Sequence, residues 1–573
     1  MVATELNLGS VVAAVAARVP ARQAVLSGTG STSYGQFIDR SRRLAQFLGD
    51  RGIQLHTERA QLEGHQSGQP LLAQYLHNGP EYLEGLVGSF LARVAPFNVN
   101  YRYRPAELEY LLKDARPSVI QYHAAFAPVL REVLPTLTGS ELLLQVADGS
   151  TNPLLPGAWD YERALASVPG RVEVQPSPDD LYVIYTGGTT GMPKGVLWRQ
   201  GDVAVSTIGL RNRRQRREWL SVSECADAVR GQPARLLPCA PMMHGAAQWA
   251  ALLALGTGAT VVFPDHAEHF DAAQVWRAVQ RHQVSTITMV GDAFALPLID
   301  ELERHRYSAS SLRTIVSGGA ALHANAKQRL LELLPGVQII ENIGSSESGI
   351  LGSHRCSDAA GSAAATFVPD HETAVIAEDF AHVLAPGHQG VGWLARCGRI
   401  PLGYLGDAAK TARTFPVVGG TRFTVPGDRA RLLADGSVQL LGRDSATINT
   451  GGEKVFAEEV ESVLKAHRDV VDALVIARPN ERWGQEVAAL VVAVGETSQT
   501  ELTEFCRTRL ARYKAPRTIR FVEKIHRTVT GKPDYRWAER EVCDSASGAD
   551  PEMPIPKEDR KVIDEMSRSA SYE

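Results

Sequence analysis

Between residues 259 and 341 the chain alternates short β-branched runs with stretches of helical periodicity, and this rhythm restricts the fold more than any other feature. Ala259–Phe263, Val284–Val290, Arg313–Ser317 and Val337–Glu341 read as strands. Phe270–His282, Phe294–His305 and His323–Leu334 read as helices, the first with Val275, Trp276 and Val279 at helical spacing behind an N-cap at Asp271. Strands joined by helices through short connections form βαβ units, which build a parallel sheet covered by helices. Such sheets bind ligands beyond the carboxyl ends of their strands. That rule singles out Gly291-Asp292, Ser317-Gly318-Gly319 and Asn342-Ile343-Gly344-Ser345-Ser346-Glu347. Small residues there let a flat ligand approach the backbone, and the third turn adds a carboxylate.

At 573 residues the chain is long enough for about three to four compact units with a cleft between them. Its 60 Lys and Arg against 64 Asp and Glu leave a formal charge of −4. No broad field therefore draws nucleic acid or an anionic membrane, and any anion is bound locally. The cysteines, Cys225, Cys239, Cys356, Cys397, Cys506 and Cys543, contain no CxxC pair, so neither a zinc site nor a disulfide framework is implied and a reducing cytoplasm is expected. Val11–Ala17 follows Glu5 and ends at Arg18, which suits an amphipathic helix better than a leader. Leu236–Pro264 lacks Asp, Glu, Lys and Arg, but Pro238, Pro241 and Gly256-Thr257-Gly258 divide it into loop, helix and strand, a buried core segment and not a membrane span.

After about Gly387 the pattern turns to hairpins, such as Arg431–Leu433 and Ser437–Leu441 joined across Ala434-Asp435-Gly436. Gly442–Thr447 reads as a hinge. Beyond it, a helix with Val460, Val463, Leu464 and His467 on one face, strands at Val470–Ala477 and Val487–Val494, and a helix from Thr500 to Arg512 outline a small α+β domain. From Asp544 apolar periodicity stops, and a poorly ordered tail is expected. The expected fold is α/β, with a large multi-subdomain N-terminal domain over 1–443, a mobile C-terminal domain over 444–543 and a tail over 544–573.

The strongest local signal is a strand, Leu181–Tyr185, feeding Thr186-Gly187-Gly188-Thr189-Thr190-Gly191-Met192-Pro193-Lys194-Gly195. This loop offers backbone N–H groups, hydroxyls and an ammonium to a phosphate chain. Pro193 before Lys194 breaks the Walker A spacing, which disfavours a P-loop NTPase. The loop resembles that of the adenylate-forming superfamily, which includes acyl-CoA synthetases, luciferases and nonribosomal adenylation domains. The resemblance continues in order from Val11 to Arg540. Asn342–Glu347 is similar to the motif usually written YGxTE, Pro426-Gly427-Asp428 to TGD, Gly442-Arg443 with Gly451-Gly452 to the interdomain motif, and Thr530-Gly531-Lys532 to the C-terminal GK motif.

The resemblance implies ATP, Mg²⁺ and CoA, and it implies a role for each residue. The Thr186–Lys194 loop holds the β- and γ-phosphates, Glu347 holds the metal, and Ser346 contacts the α-phosphate. Asp428 accepts from the ribose hydroxyls with Arg443 in support, and Lys532 stabilises the transition state of adenylation. Gly318, Gly319, Asn342 and Gly344 border the adenine, with Ile343 as an apolar face where relatives often carry Tyr. The small domain then turns at a hinge, Ser445 here where many relatives have Asp or Lys, and brings Gly451 and Gly452 to the thiol tunnel.

Pro238–Trp249 carries no acidic residue to pair with an α-amino group, so an amino acid substrate is disfavoured. Met242, Met243, Ala246, Ala247 and Trp249 suggest instead an apolar channel gated by His244, suited to a fatty acid or a sterol side-chain acid. The motif variants resemble those of actinobacterial enzymes acting on such lipids. An acyl-AMP ligase delivering to a carrier protein shares every adenylation motif; a non-catalytic acyl-nucleotide sensor is a further class, which intact Lys532, Glu347 and Asp428 argue against. The basic run Arg211–Arg217 reads as a solvated insertion, a CoA phosphate site or a contact with a membrane surface, without the aromatic interleaving of a nucleic-acid site. A cytoplasmic, membrane-associated homodimer is the expected setting. Gln54–Gln69 departs from the short turn usual in the superfamily.

Overall fold

The computed structural model describes residues 5–543 apart from 29, 187–192, 213, 267, 359–360, 362–365, 451–452, 481–483, 496 and 528–532. The 544–573 tail thus lies outside the described residues. The chain divides into two compact units, one running to Ser445 and the next starting at Ala446.

Two large sheets build the first unit. The 13-stranded sheet has a parallel centre in the order Gln338–Ser345, Thr314–Gly318, Thr286–Met289, Arg235–Pro238, Thr260–Phe263 and Gln23–Ser27. The strands alternate with helices Gly245–Gly256, Ala272–His282, Asp292–Arg304 and Ala324–Leu333. Asp271 does cap its helix, accepting from the Gln274 N–H at 3.2 Å. The uncharged stretch Leu236–Pro264 is divided at its prolines and glycines as expected, but it opens on the strand Arg235–Pro238 before the expected loop, helix and strand, and no helix among the described residues is long and apolar enough to cross a membrane.

One strand is longer than the sequence suggests. Gln338–Ser345 continues past Glu341 because Asn342–Ser345 pair antiparallel with Gly349–Ser353, so part of the expected loop motif is sheet. The eight-stranded sheet contains Ala95–Asn98, Leu71–Tyr75 and Val119–His123 in parallel, with Leu181–Thr186 beside Ala95–Asn98 and Lys194–Arg199 returning antiparallel to it. Ile184, Val196 and Trp198 of this sheet share one core with Val261, Ile287 and Ile315 of the other. Val183 and Leu197, pointing the opposite way, enter a second core with Ala73 and Ile120.

The second unit is a five-stranded sheet flanked by helices Ala457–Lys465, Gln499–Arg507 and Tyr535–Cys543. Ala473 and Val475 pack into one core with Val460 and Leu464, while Leu474 and Ile476 pack into another with Ala538 and Val542, the period-two pattern of a strand buried on both faces. Two expectations need correction. The first helix stops at Lys465, so His467 sits in the following turn, where its carbonyl accepts from Val470 N. The second stops at Arg507, and Arg512 opens a separate 3₁₀ turn.

Buried Asp472 is paired by Lys465 at 2.9 Å and Arg527 at 2.7 Å. Burial raises its pKa, but Lys465 and then Arg527 outweigh burial and hold the carboxyl below its ordinary 3.8. Asp472→Asn is expected to cost up to about 3–5 kcal/mol at neutral pH, because it removes the carboxylate charge that both cations share. A depressed carboxylate stabilises above its unfolded pKa and ceases to as pH falls through its folded one. The gap between wild type and variant in urea unfolding therefore narrows below about pH 4; a gap that does not narrow there contradicts the pairing.

Candidate active site

The phosphate loop is joined to the eight-stranded sheet at both ends. Thr186 and Lys194 are the last registered pair of their strands, and Gly187, Gly188, Thr189, Thr190 and Gly191 between them lie outside the described residues. Lys194 donates to Asp114 Oδ1 at 3.3 Å, and Tyr185 OH donates to Asp114 Oδ2 at 2.9 Å. Burial lowers the Lys194 pKa, but hydrogen bonding with Tyr110 and the charge of Asp114 more than compensate, so its ammonium titrates above the ordinary range. Gly195 makes this packing possible, since a Cβ there would lie 2.8 Å from the Tyr185 ring.

Ser346 and Glu347 occupy the hairpin turn after Gln338–Ser345, and three groups from outside the hairpin hold them. Trp198 Nε1 donates to the Ser346 carbonyl at 2.9 Å, Tyr404 OH to Glu347 Oε1 at 2.9 Å, and Thr424 Oγ1 to the Glu347 carbonyl at 2.8 Å. Burial, and then the Glu347 carboxylate, drive the Tyr404 pKa well above the usual phenol value, so the phenol keeps the proton it donates. Gly344 admits no side chain, for its Cβ would meet the Gly349 carbonyl oxygen at 2.0 Å.

The unusual Gln54–Gln69 segment acquires a role here. The His65 carbonyl accepts from Gly406 N at 2.8 Å, and a Cβ on Gly64 would lie 2.7 Å from the Leu402 carbonyl oxygen, so the segment braces the strand that carries Tyr404. Gln69 Oε1 accepts from Leu181 N at 2.6 Å, which fixes the start of the phosphate-loop strand.

Gly318 and Asn342 are register partners on adjacent parallel strands, and Gly319 has φ +90°. Asn342 Oδ1 accepts from Ser353 Oγ at 2.7 Å. Ile343 does not offer an apolar face to a base: it is buried with Leu351, Val375, Leu394, Ala430 and Val438. Asp428 and Arg443 face each other across a hairpin, with Arg443 Nε donating to Asp428 Oδ1 at 3.2 Å.

His244 precedes helix Gly245–Gly256. Met242 and Met243 are buried, each in a different one of the two cores, so they serve packing and not a channel wall; Ala246 is exposed and Trp249 half-buried. Three side-chain amides, two of them buried, fix the loop between them. Asn78 Oδ1 accepts from Met242 N at 2.6 Å, Gln248 Nε2 donates to the Met242 carbonyl at 2.7 Å, and Asn98 Nδ2 donates to the Met243 carbonyl at 2.6 Å. Sequence reasoning passed over all three; the available signal was an asparagine ending the apolar run Ala95–Asn98.

Of the basic run, Arg211 and Arg217 belong to a small hairpin, and Arg217 Nη1 donates to Glu224 Oε2 at 3.1 Å; Arg214 and Arg216 are exposed. Ser445 sits in the 3₁₀ turn Asp444–Ala446. Lys532, Gly451 and Gly452 lie outside the described residues.

The model of the AMP-binding enzyme family matches residues 12–405, and that of the AMP-binding enzyme C-terminal domain matches 459–532. The chain belongs to the AMP-binding enzyme family. It is 49% identical over 540 residues to the medium-chain acyl-CoA ligase Mig of Mycobacterium avium, covering 93% of this chain and 98% of that one. It is 38% identical over 549 residues to the 3-oxocholest-4-en-26-oate–CoA ligase of Rhodococcus rhodochrous, covering 93% and 95%. The fold is that of ATP-bound MatB from Rhodopseudomonas palustris, with a TM-score of 0.76 at 20% identity over 95% of this chain and all (100%) of that one.

Within this AMP-binding enzyme, Tyr404→Phe keeps the ring and removes the hydroxyl that donates to Glu347. A hydrogen bond to a charged group is worth about 1.5–3 kcal/mol. Acid-dependent ATP–pyrophosphate exchange should therefore fall roughly 10- to 100-fold; an unchanged rate would show that Glu347 needs no such support.

Proposed function

We propose that the chain is an ATP-dependent acyl-CoA synthetase, an acid–thiol ligase, that joins a hydrophobic carboxylic acid to CoA in two half-reactions. A carboxylate oxygen attacks the α-phosphorus of ATP, the bond to pyrophosphate breaks, and acyl-AMP forms. The CoA thiol then attacks the acyl carbon, loses its proton, and AMP departs. No nucleophile is needed from the protein, whose work is neutralisation and alignment. The observation that carries this reading is the anchoring of the Ser346-Glu347 turn by Trp198 and Tyr404, which ties it to the sheet bearing Thr186 and Lys194.

In this reading Lys194, with the 186–191 hydroxyls and N–H groups, binds the β- and γ-phosphates and Ser346 the α-phosphate. Asp428, oriented by Arg443, receives the ribose hydroxyls. With Ile343 committed to the core, the base lies against Asn342 and the Gly318-Gly319 turn. Glu347 suits Mg²⁺, because one half-buried carboxylate held at Oε1 leaves the remaining positions to phosphate oxygens and water. That ion supplies charge neutralisation between the phosphates. His244 stands at the acid's carboxylate, and Lys532 stabilises the charge that develops during adenylation. The boundary after Ser445 supports a hinge there for a mobile domain from residue 444, bringing Gly451 and Gly452 to the thiol.

The acid is a medium- or long-chain fatty acid or a sterol side-chain acid. The substrates named for the two relatives, a medium-chain acyl group and 3-oxocholest-4-en-26-oate, and the absence of an acidic residue from Pro238–Trp249 support this. The setting is the cytoplasm, with exposed Arg214 and Arg216 available to a membrane surface.

Lys532→Ala should lower acid-dependent ATP–pyrophosphate exchange on the order of 10²–10³ fold, the scale of one preorganised donor. Thioester formation from preformed acyl-AMP should be spared, and an equal loss in both steps overturns the assignment. CoA thioester and AMP should appear in equal amounts; AMP without thioester favours delivery to a carrier protein.

A further inference from the structure

Asn98 ends the strand Ala95–Asn98, whose other residues are apolar and buried. Phe97 and Val183 are the registered pair between this strand and Leu181–Thr186. Past that pair a side chain takes over the ladder. Asn98 Oδ1 accepts from Tyr185 N at 2.9 Å and Nδ2 donates to the Tyr185 carbonyl at 2.8 Å. A carboxamide has the donor and acceptor of a peptide group, so Asn98 supplies the rung that its own backbone does not. The second Nδ2 proton goes to the Met243 carbonyl at 2.6 Å. Both donors and an acceptor lone pair are thus engaged on a residue only 4% exposed.

The two backbone positions held by this amide have different duties. Tyr185 immediately precedes Thr186, the start of the phosphate loop, and Met243 immediately precedes His244. We infer that Asn98 is a positioning residue that sets the ATP subsite and the acid subsite in register with each other. One rigid planar group cannot follow a shift of either backbone without straining its bonds to the other, and buried bonds of this kind are costly to leave unmade. Asn78 is a natural control. It braces the same loop through Met242 N at 2.6 Å and the Ala240 carbonyl at 3.4 Å, and neither of these bonds reaches the phosphate-loop strand.

The inference rests on the proposed placement of ATP at the Thr186 loop and of the acid beside His244. The test is acid-dependent ATP–pyrophosphate exchange by the full-length protein, titrated separately with ATP and with a fatty acid such as decanoate. Asn98→Ala should raise the KM for ATP and the KM for the acid together, each roughly five- to tenfold. Asn78→Ala should raise only the KM for the acid. A change in one KM alone, or in neither, for Asn98→Ala overturns the inference. If that variant does not fold, Asn98→Ser is measured in its place, since one hydroxyl proton cannot serve the carbonyls of both Tyr185 and Met243; failure of both to fold assigns Asn98 to the core alone and also overturns it. Absence of exchange in the wild type with every acid tried would instead sink the adenylation reading.

Discussion

The site depends on buried hydrogen bonds that cross from one sheet of the first unit to the other. Among the described residues the two sheets share no backbone ladder, and their common core of Ile184, Val196, Val261 and Ile287 is apolar. Such packing brings the sheets together but is non-directional, so it does not by itself set a carboxylate against a phosphate loop. Direction comes from polar side chains that span the seam: Trp198 to Ser346, Tyr404 to Glu347, Asn98 to Met243, and Tyr182 OH to Gln248 Oε1 at 2.6 Å. The bonds between neutral groups contribute about 0.5–1.5 kcal/mol net and the one to the Glu347 carboxylate about 1.5–3 kcal/mol, and all cost more when left unmade, so the seam has one favoured alignment.

This arrangement explains how a chain of near-neutral charge handles a polyanion. Nothing basic covers the surface at large. Lys194 is held by Asp114, Glu347 by Tyr404, and Arg443 faces Asp428, so charges of both signs are placed singly on defined backbone. The Gln54–Gln69 segment extends the same logic, because it supports the Tyr404 strand through His65 and the phosphate-loop strand through Gln69. A segment with no evident purpose in the sequence becomes a prop for two site elements at once.

Much of the fold was legible because it is local. The β-branched runs and helical spacings of residues 259–341 mark the parallel centre, and Asp271 caps the helix it precedes. The seam was not legible, because its partners are far apart in sequence: 148 residues separate Trp198 from Ser346 and 145 separate Asn98 from Met243. Two site readings went astray for a common reason. Ile343, Met242 and Met243 are apolar residues inside a motif, and the motif suggested ligand contact, but the core claimed their side chains. For Ile343 the signal was present, since residues 339, 341 and 343 share one buried face of their strand.

The most direct test of the seam is Trp198→Phe, which keeps a buried aromatic ring, though a smaller one, and deletes the donor to the Ser346 carbonyl. Acid-dependent ATP–pyrophosphate exchange is predicted to fall about tenfold, the rate equivalent of one such bond. The Tm should drop by only about 2–4 °C. The same small loss of Tm with an undiminished exchange rate would contradict the claim that cross-sheet hydrogen bonds align the site.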